Sequence, residues 1–321
     1  MRRGRGGAPA ASTGPTINSS QQTRSEGMDS QADVQHTLAR PVPLQGVGFW
    51  GGKAVRVRLC PAPAGAGVRF CRTDLPGRPS VAAVVSAVQP VQFRTRLASG
   101  QAAVDMTEHL LAAIYAAGID NCLIECDSQE LPAFDGSAAL YLEPILRAGI
   151  EPQDAPRTTH AIDSPIQVGD AGHWVLATPG IDDSLTLEYR LDYGPGSPIP
   201  PCSFRAVLDC GVFNEQIAAA RTFVTDAEAR HIQALGLAEH VTYRDLVVFG
   251  PNGPIDNTLR FDDECARHKL LDLVGDLALA GVRLSGKIVA CRSGHALNAK
   301  MAAALREQAR RNSSQKTAVA A

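Results

Sequence analysis

Alternating and helical hydrophobic patterns divide the first half of the chain into strands and helices. Period-two alternation starts near Val42 and continues through AVRVRLCPA and GVRFCRTDL, and the Gly and Pro residues between these runs predict β-hairpins. The stretch TEHLLAAIYAA repeats apolar residues at intervals of three and four, which predicts a helix with Asp105 as its N-cap and Gly118 at its end. A strand, NCLIECDS, and a second helix over about residues 137–147 should follow.

The second half repeats this order of elements. We predict strands at HWVLATPG and LTLEYRLDY, helical stretches within NEQIAAARTFVTDAEARHIQALG, an amphipathic helix at ECARHKLLDLVGDLALAG, a strand at GKIVACRS and a last helix from about Ala296. In both halves a helix that carries a His is followed by Gly, a strand, a short motif (DGSA or SGHA) and another helix. His109 then aligns with His268, and Gly136 aligns with Gly294. Four matching elements in the same order indicate an internal duplication.

The duplication predicts an α+β protein of two duplicated domains, each a small sheet with paired helices. The expected domains are 35–155 and 156–306, separated by a linker near GIEPQDAPRTT. Residues 1–34 are rich in Arg, Gly, Ser and Ala without an apolar period, so we expect a disordered extension. A transit peptide, or a true start at Met28, are the alternatives for this extension. Residues 307–321 should form a disordered tail.

Composition excludes several classes of function. The 321 residues are 45% hydrophobic and 20% charged with a formal net charge of −2, so the chain lacks the basic stripe of a nucleic-acid binder. No apolar run is long enough to span a membrane. The eight Cys residues form no Cys-x-x-Cys pair, which favours reduced thiols in a reducing compartment, and we expect a cytoplasmic protein.

One helix carries an unusual polar stripe. His268, Asp272 and Asp276 follow one another at steps of four, so they lie on nearly one face of ECARHKLLDLVGDLALAG. His268 and Asp272 can therefore bind one metal ion, although this helix alone favours a solvated His–Asp pair. A third ligand would have to come from another element, because catalytic zinc sites use three protein ligands and one water.

Two other stretches offer complementary groups. Glu108 and His109 are adjacent, so their side chains diverge by about 100° on a helix. They can therefore have two roles at one site, with Glu108 as a base and His109 as a metal ligand. The competing interpretation of Glu108 is a capping box with Asp105. His295 follows a Ser-Gly turn at a helix N-terminus, where it is either an exposed loop residue or a proton donor held charged by Asp276.

The duplication joins these three signals. It brings the two helices that bear His109 and His268 together as equivalents, so that both side chains and Asp272 can form a His–His–Asp site between the halves. Three ligands, one base and one acid are the minimum set for metal-assisted hydrolysis of an amide or ester.

The order and content of several motifs resemble one known family. The chain resembles the zinc-dependent UDP-3-O-acyl-N-acetylglucosamine deacetylases of lipid A synthesis over about residues 36–306, in the motifs TEHLLAA, GIDN, LPAFDGSA, ARTF, DDECARHKLLDLVGDL and SGHALN. The resemblance implies two α+β domains with their helices sandwiched between the sheets. It also implies an acylated UDP-amino sugar as substrate, at most peripheral contact with membranes, no nucleic-acid partner, and a monomer.

The resemblance also assigns roles to individual residues. It implies that Zn²⁺ is held by His109, His268 and Asp272. Catalysis would use Glu108 as the general base and His295, paired with Asp276, as the proton donor and oxyanion partner. Thr222, Phe223 and Lys269 would surround the substrate.

Two segments depart from the family pattern. The chain has GVGFWGG where the family has Gly-Val-Gly-Leu-His-Ser-Gly, so Trp50 stands at the position of a His. The segment AEHVTYRDLVVFG replaces a Gly-rich one. Two alternatives to the deacetylase therefore stay open: a divergent zinc amidohydrolase of another N-acetylated sugar or acylated amine, and a non-enzymatic metal-binding relative. The complete set of ligands, base and acid argues against the second of these.

Overall fold

The computed structural model describes residues 34–243 and 245–319, with side chains described up to residue 314. The predicted extension over residues 1–34 therefore lies, except for Val34, outside the described residues. Within the described ranges, no helix is both long enough and apolar enough to cross a membrane.

Strands form most of the scaffold. They are β1 (Val34–Leu38), β2 (Val42–Val47), β3 (Ala54–Pro61), β4 (Val68–Arg72), β5 (Ser80–Ala82), β6 (Val88–Gln89), β7 (Arg96–Ser99), β8 (Ala102–Asp105), β9 (Cys122–Cys126), β10 (Ile150–Pro156), β11 (Thr159–Ala161), β12 (Ile166–Gly169), β13 (Trp174–Thr178), β14 (Leu185–Leu191), β15 (Cys202–Val207), β16 (Phe223–Thr225), β17 (Val247–Gly250), β18 (Gly253–Pro254) and β19 (Arg283–Cys291). The α-helices are α1 (Glu108–Ala116), α2 (Ala139–Ala148), α3 (Cys210–Gln216), α4 (Asp226–Ala234), α5 (Glu264–Leu277) and α6 (His295–Val319), and short 3₁₀ helices span Val85–Ala87 and Ala278–Ala280.

The two main sheets share one topology. The first has the strand order β2-β3-β9-β4-β5, and the second has the order β12-β13-β19-β14-β15 with β11 added beside β19. In each sheet the strand between the two helices, β9 or β19, is antiparallel to one neighbour and parallel to the other. The predicted α+β fold with an internal duplication is confirmed by this correspondence.

The helices lie between the two sheets, as the resemblance implied. Helix α2 packs on β2, α5 packs on β14 and β15, and α6 packs on β12 and β13, while α1 packs against α5 and α2. The contact between α1 and α5 is close because Gly275 has no side chain: a Cβ there would lie 2.0 Å from the Glu108 carbonyl oxygen. One continuous apolar core joins both halves.

The structure corrects two local predictions in the first half. Asp105 does not cap α1, because it ends β8 and its carboxylate binds the Arg96 guanidinium at 2.5 and 2.8 Å. Thr107 precedes the helix without a side-chain capping bond. The expected linker is instead strand β10, which pairs antiparallel with β1.

The predicted disordered tail over residues 307–321 is also wrong, because α6 continues through Val319 and residues 320–321 lie outside the description. Its Gln308 is buried: the side chain contacts His160 Nε2 at 2.8 Å and donates to Ser164 Oγ at 2.9 Å. These contacts tie the last part of α6 to His160 on β11 and to the segment that follows it. The domain boundary at residues 155/156 stays a prediction.

Candidate active site

Two helices bring three potential metal ligands together. His109 is the second residue of α1, and His268 and Asp272 lie one turn apart on α5, which packs against it. The Nε2 atoms of both His residues lie 3.5 Å from Asp272 Oδ1. One ligand atom from each of the three residues falls within 4.8 Å of the others, and all three side chains are buried.

The chemistry of these three groups fits a divalent metal ion. The Ala220 carbonyl oxygen lies 3.2 Å from His268 Nδ1, so that nitrogen can donate and leave the Nε2 lone pair facing the cluster. Burial lowers the pKa of His268 to about 4, which keeps the imidazole neutral. Burial opposes the charge on Asp272, but the Lys269 ammonium and His268 nevertheless hold the pKa of that carboxyl well below its usual range. Neutral imidazoles and an ionised carboxylate are the donors that such an ion requires.

Glu108 lies beside this cluster as a buried carboxylate. It is 2% exposed, and its Oε2 accepts a hydrogen bond from the Thr95 backbone N–H at 3.0 Å. Burial raises the pKa of Glu108, although the charges of His295 and His109 oppose the rise. The proposed capping box is wrong, because the partner carboxylate of Asp105 is bound elsewhere, and a raised pKa suits a general base.

His295 and Asp276 form a hydrogen-bonded pair in which Asp276 is fully buried and the His295 side chain is 15% exposed. His295 Nδ1 lies 2.9 Å from Asp276 Oδ2, which also accepts from Asn298 Nδ2 at 2.9 Å. Burial alone would lower the pKa of His295, but the Asp276 charge and hydrogen bond raise it to about 9. The His295 imidazole is therefore protonated near neutral pH, as a proton donor must be.

The three predicted substrate residues line the same cavity, and two of them already hydrogen-bond to other groups of the protein. Phe223 places its ring 6.0 Å from that of His268. Thr222 donates its hydroxyl to the Gly136 carbonyl oxygen at 3.1 Å, so a substrate carbonyl would have to displace that bond. Lys269 donates to Asp272 Oδ2 at 2.8 Å, and its ammonium is therefore tied to the ligand cluster.

The cavity itself has a volume of about 790 Å³. That volume falls in the range of about 300–1,000 Å³ that is common for small-molecule sites. Polar groups, including Glu108, His109, His268, Asp272 and His295, lie together in its wall. Apolar side chains also belong to the lining: Val91, Phe93, Ile199, Phe223, Ile232 and Leu297. The cavity can therefore hold a molecule that has both polar and apolar parts.

Sequence reasoning missed two residues of the site, Thr95 and Asn298. Asn298 follows His295 by three residues on α6, and this spacing on a helix could have identified it. Thr95 gives no such signal, because it precedes β7 in an irregular stretch and meets Asp276 across 181 positions.

The duplicated sheets and the buried His–His–Asp cluster define a class of protein: a two-sheet α+β protein with a candidate metal site between its helices. The chain belongs to the LpxC family, because the sequence model of the UDP-3-O-acyl N-acetylglycosamine deacetylases matches residues 35–307. It is 38% identical over 279 residues to the UDP-3-O-acyl-N-acetylglucosamine deacetylase of Thermosynechococcus vestitus, covering 86% of this chain and 95% of that protein.

Further relatives agree with this placement. The deacetylase of the same description from an Anaeromyxobacter species is 37% identical over 270 residues, or 82% of this chain and 86% of that protein. A bifunctional enzyme LpxC/FabZ of Porphyromonas gingivalis is 35% identical over 311 residues, covering 88% of this chain and 66% of the longer protein.

Proposed function

We propose that the protein hydrolyses the acetamide of UDP-3-O-acyl-N-acetylglucosamine, releasing acetate and a free amino sugar for lipid A biosynthesis. The observation that carries the proposal is the convergence of a His–His–Asp cluster, a buried carboxylate and the His295 imidazole on one cavity. Family membership supplies the substrate class. Eight free thiols are in keeping with a cytoplasmic location.

The metal in this proposal is zinc, held by His109, His268 and Asp272. Zinc accepts imidazole and carboxylate ligands, and when bound it polarises a carbonyl and makes its water more acidic. Lys269 keeps Asp272 ionised, and the carbonyl oxygen of Ala220 orients the His268 ring. These outer contacts therefore hold the ligands in a form that can bind the ion.

Two residues of the site transfer protons in this proposal, Glu108 and His295. Glu108, whose pKa is raised by burial, takes the proton of the attacking water. Protonated His295 stabilises the negative charge that develops on the carbonyl oxygen, and then gives its proton to the departing amine. Asp276 stabilises the imidazolium without itself becoming protonated, in the manner of an orienting carboxylate.

The cavity suits the two ends of the substrate. Its apolar lining, which includes Ile199, Ile232 and Phe223, offers a place for the acyl chain, and the Phe223 ring lies 6.0 Å from the His268 ring. Thr222 can turn its hydroxyl from Gly136 to the substrate carbonyl at little cost, because one hydrogen bond replaces another.

The direct test combines metal analysis with product analysis. Purified protein should contain about one zinc per chain and release acetate from the 3-O-acylated nucleotide sugar, but much less from UDP-N-acetylglucosamine, and a chelator should abolish the release. Glu108→Gln should retain the metal and lose about 10²–10⁴-fold in rate. Glu143→Gln, on the exposed face of α2, is the matched control. Full turnover after chelation, or no acetate from the acylated substrate, would refute the proposal.

A further inference from the structure

Thr95 contacts both the base and the acid of the proposed site. We propose that Thr95 is a positioning residue that holds Glu108 and the Asp276–His295 pair in one fixed arrangement. The inference rests on the proposed function for its catalytic meaning, but the arrangement itself can be tested without turnover.

The contacts of Thr95 reach both partners. Its backbone N–H donates to Glu108 Oε2 at 3.0 Å, and its hydroxyl donates to Asp276 Oδ1 at 2.5 Å. The same hydroxyl oxygen lies 3.2 Å from His295 Nδ1. The residue is 3% exposed, so water does not compete for these bonds. One residue thus contacts the base on α1, the carboxylate on α5 and the imidazole on α6.

The hydroxyl has a specific role among these contacts. Its single proton goes to Asp276 Oδ1, so only its lone pairs face His295 Nδ1. The Nδ1–H then points between Asp276 Oδ2 and the Thr95 oxygen, which fixes the plane of the ring and the direction of Nε2. Asp276 is fully buried, and Thr95 is the one partner of its Oδ1 among the residues that the structure describes. Without the hydroxyl the carboxylate would keep a buried acceptor unsatisfied and could rotate.

Thr95 is itself held from the opposite side. Arg94 and Arg96 flank it, and both guanidinium groups reach the Asp105 carboxylate, at 3.3 and 2.5 Å. These two contacts hold Thr95 from both sides, while its own N–H and hydroxyl bind Glu108 and Asp276. The Thr107 N–H and hydroxyl both contact the Thr95 carbonyl oxygen at 3.4 Å. The arginine pair therefore anchors the segment that presents Thr95.

A set of three variants separates the hydroxyl from the shape of the side chain. Thr95→Val keeps the volume and removes the hydroxyl, Thr95→Ser keeps the hydroxyl, and Thr95→Ala is a second hydroxyl-free form if the valine variant fails to fold. Thr37→Val is the matched control, since it removes another buried threonine hydroxyl, bonded to the Asn121 carbonyl oxygen at 2.8 Å in the first half. Zinc content and thermal midpoint are measured for each holoenzyme.

The expected kinetic result is a loss in kcat with little change in KM. Misplacement of a catalytic group by about 1 Å can cost about 10²-fold, so Thr95→Val and Thr95→Ala should lose about 10- to 10²-fold in kcat. Thr95→Ser should stay within about threefold of the wild type, and every variant should keep its zinc. Equal losses in Thr95→Ser and Thr95→Val, or a Thr95→Val rate equal to that of Thr37→Val, would overturn the proposal.

A spectroscopic measurement tests the geometry independently of turnover. A protonated imidazole that donates to a buried carboxylate gives a strongly downfield proton resonance in NMR spectra, and His295→Gln identifies this signal by its loss. We expect the signal to persist in Thr95→Ser and to shift or broaden in Thr95→Val. An unchanged signal in Thr95→Val would contradict the positioning role. If the wild type failed to release acetate, the proposed function would fail while this measurement still reported on Thr95.

Discussion

Helices α1 and α5 occupy equivalent places in the duplicated halves, but they carry different chemistry. Each contributes one His to the cluster, His109 from α1 and His268 from α5. One turn further on, α1 has Ala113 where α5 has Asp272. Gly275 on α5 lets the two helices pack closely. The site thus depends on the difference between the copies as well as on their symmetry.

The strand-to-helix turns after β9 and β19 differ in the same way. His295 in the second half aligns with Ser137 in the first. His295 reaches across to Asp276 on α5, whereas Ser137 bonds to Asp135 two residues before it, at 2.7 Å. The same turn is local structure in one copy and part of the site in the other. Duplication supplies the scaffold, and residues that differ between the copies, among them Glu108 on α1 and Asp272 on α5, supply most of the reactive groups.

The largest effect is expected when Asp272 on α5 is replaced by alanine, the residue at the equivalent position of α1. Asp272→Ala should lose the metal and lower acetate release by roughly 10³-fold or more, because the ion supplies several kcal/mol to the transition state. Zinc content and initial rates measure the effect. Asp154→Ala, an exposed carboxylate on β10, is the control. Retention of one zinc per chain in Asp272→Ala would contradict its place among the ligands.

The Asp272→Ala variant needs one further control, because it leaves the Lys269 ammonium without its carboxylate. An unpaired buried charge can cost about 3–5 kcal/mol. The double variant Asp272→Ala/Lys269→Met removes both charges, so a folded but metal-free double variant separates loss of the ligand from loss of stability.

The next effect concerns His295 and its pH dependence. His295→Gln should retain zinc and lose about 10²–10³-fold in kcat. Because the pKa of His295 is raised to about 9, the wild-type rate should fall as the pH rises through about 9, and this alkaline limb should vanish in the variant. The pKa of His295 is higher in the folded protein than in the unfolded chain, so the charged pair stabilises the fold. This stabilisation is complete below a pH of about 6.5, the pKa in the unfolded chain, and is lost as the pH rises to about 9. A wild-type limb that persists in His295→Gln would exclude this assignment.

A smaller effect should follow from a change at the contact between the two helices. In Gly275→Ala the new Cβ would meet the Glu108 carbonyl oxygen at 2.0 Å, so α1 and α5 must separate. Overpacking of this kind costs about 1–3 kcal/mol, and the displaced base should lower kcat on the order of tenfold. Urea unfolding and kinetics measure both. Gly211→Ala on α3 is the helical control, because its Cβ meets only the end of the Asp209 side chain, at 3.3 Å. Unchanged stability and rate in Gly275→Ala would show that the helices can adjust.

The sequence predicted the features that leave a hydrophobic period along the chain or that occur in both halves of the internal repeat. The helices of the site follow from apolar spacing, and the pairing of His109 with His268 follows from the repeat. Thr95 could not be predicted, because its partner Asp276 lies 181 positions away on another element. A bond between distant irregular segments leaves no local pattern.

The local predictions that failed did so because a tertiary contact overrode a short-range preference. Asp105 has the residue type of an N-cap, but an arginine on the neighbouring strand binds its carboxylate. Gln308 lies in a polar stretch that is typical of a tail, but His160 offers it a buried partner. Asp105 and Arg96 lie nine positions apart on the two strands of a hairpin, and Gln308 and His160 lie 148 positions apart, so residue type at the helix end or in the tail reveals neither contact.

The smallest expected effect tests the structural copy of the His295 turn. Ser137→Ala removes the hydroxyl that donates to Asp135 Oδ1 at 2.7 Å and accepts from the Ala139 N–H at 3.3 Å. A buried hydrogen bond of this kind contributes about 1 kcal/mol, so thermal unfolding should shift by a few degrees while kcat and zinc content stay within about twofold. A loss of activity comparable to that of His295→Gln would mean that the first copy of the turn also serves the reaction. A small change in stability alone would instead show that this turn serves catalysis in the second half and only structure in the first.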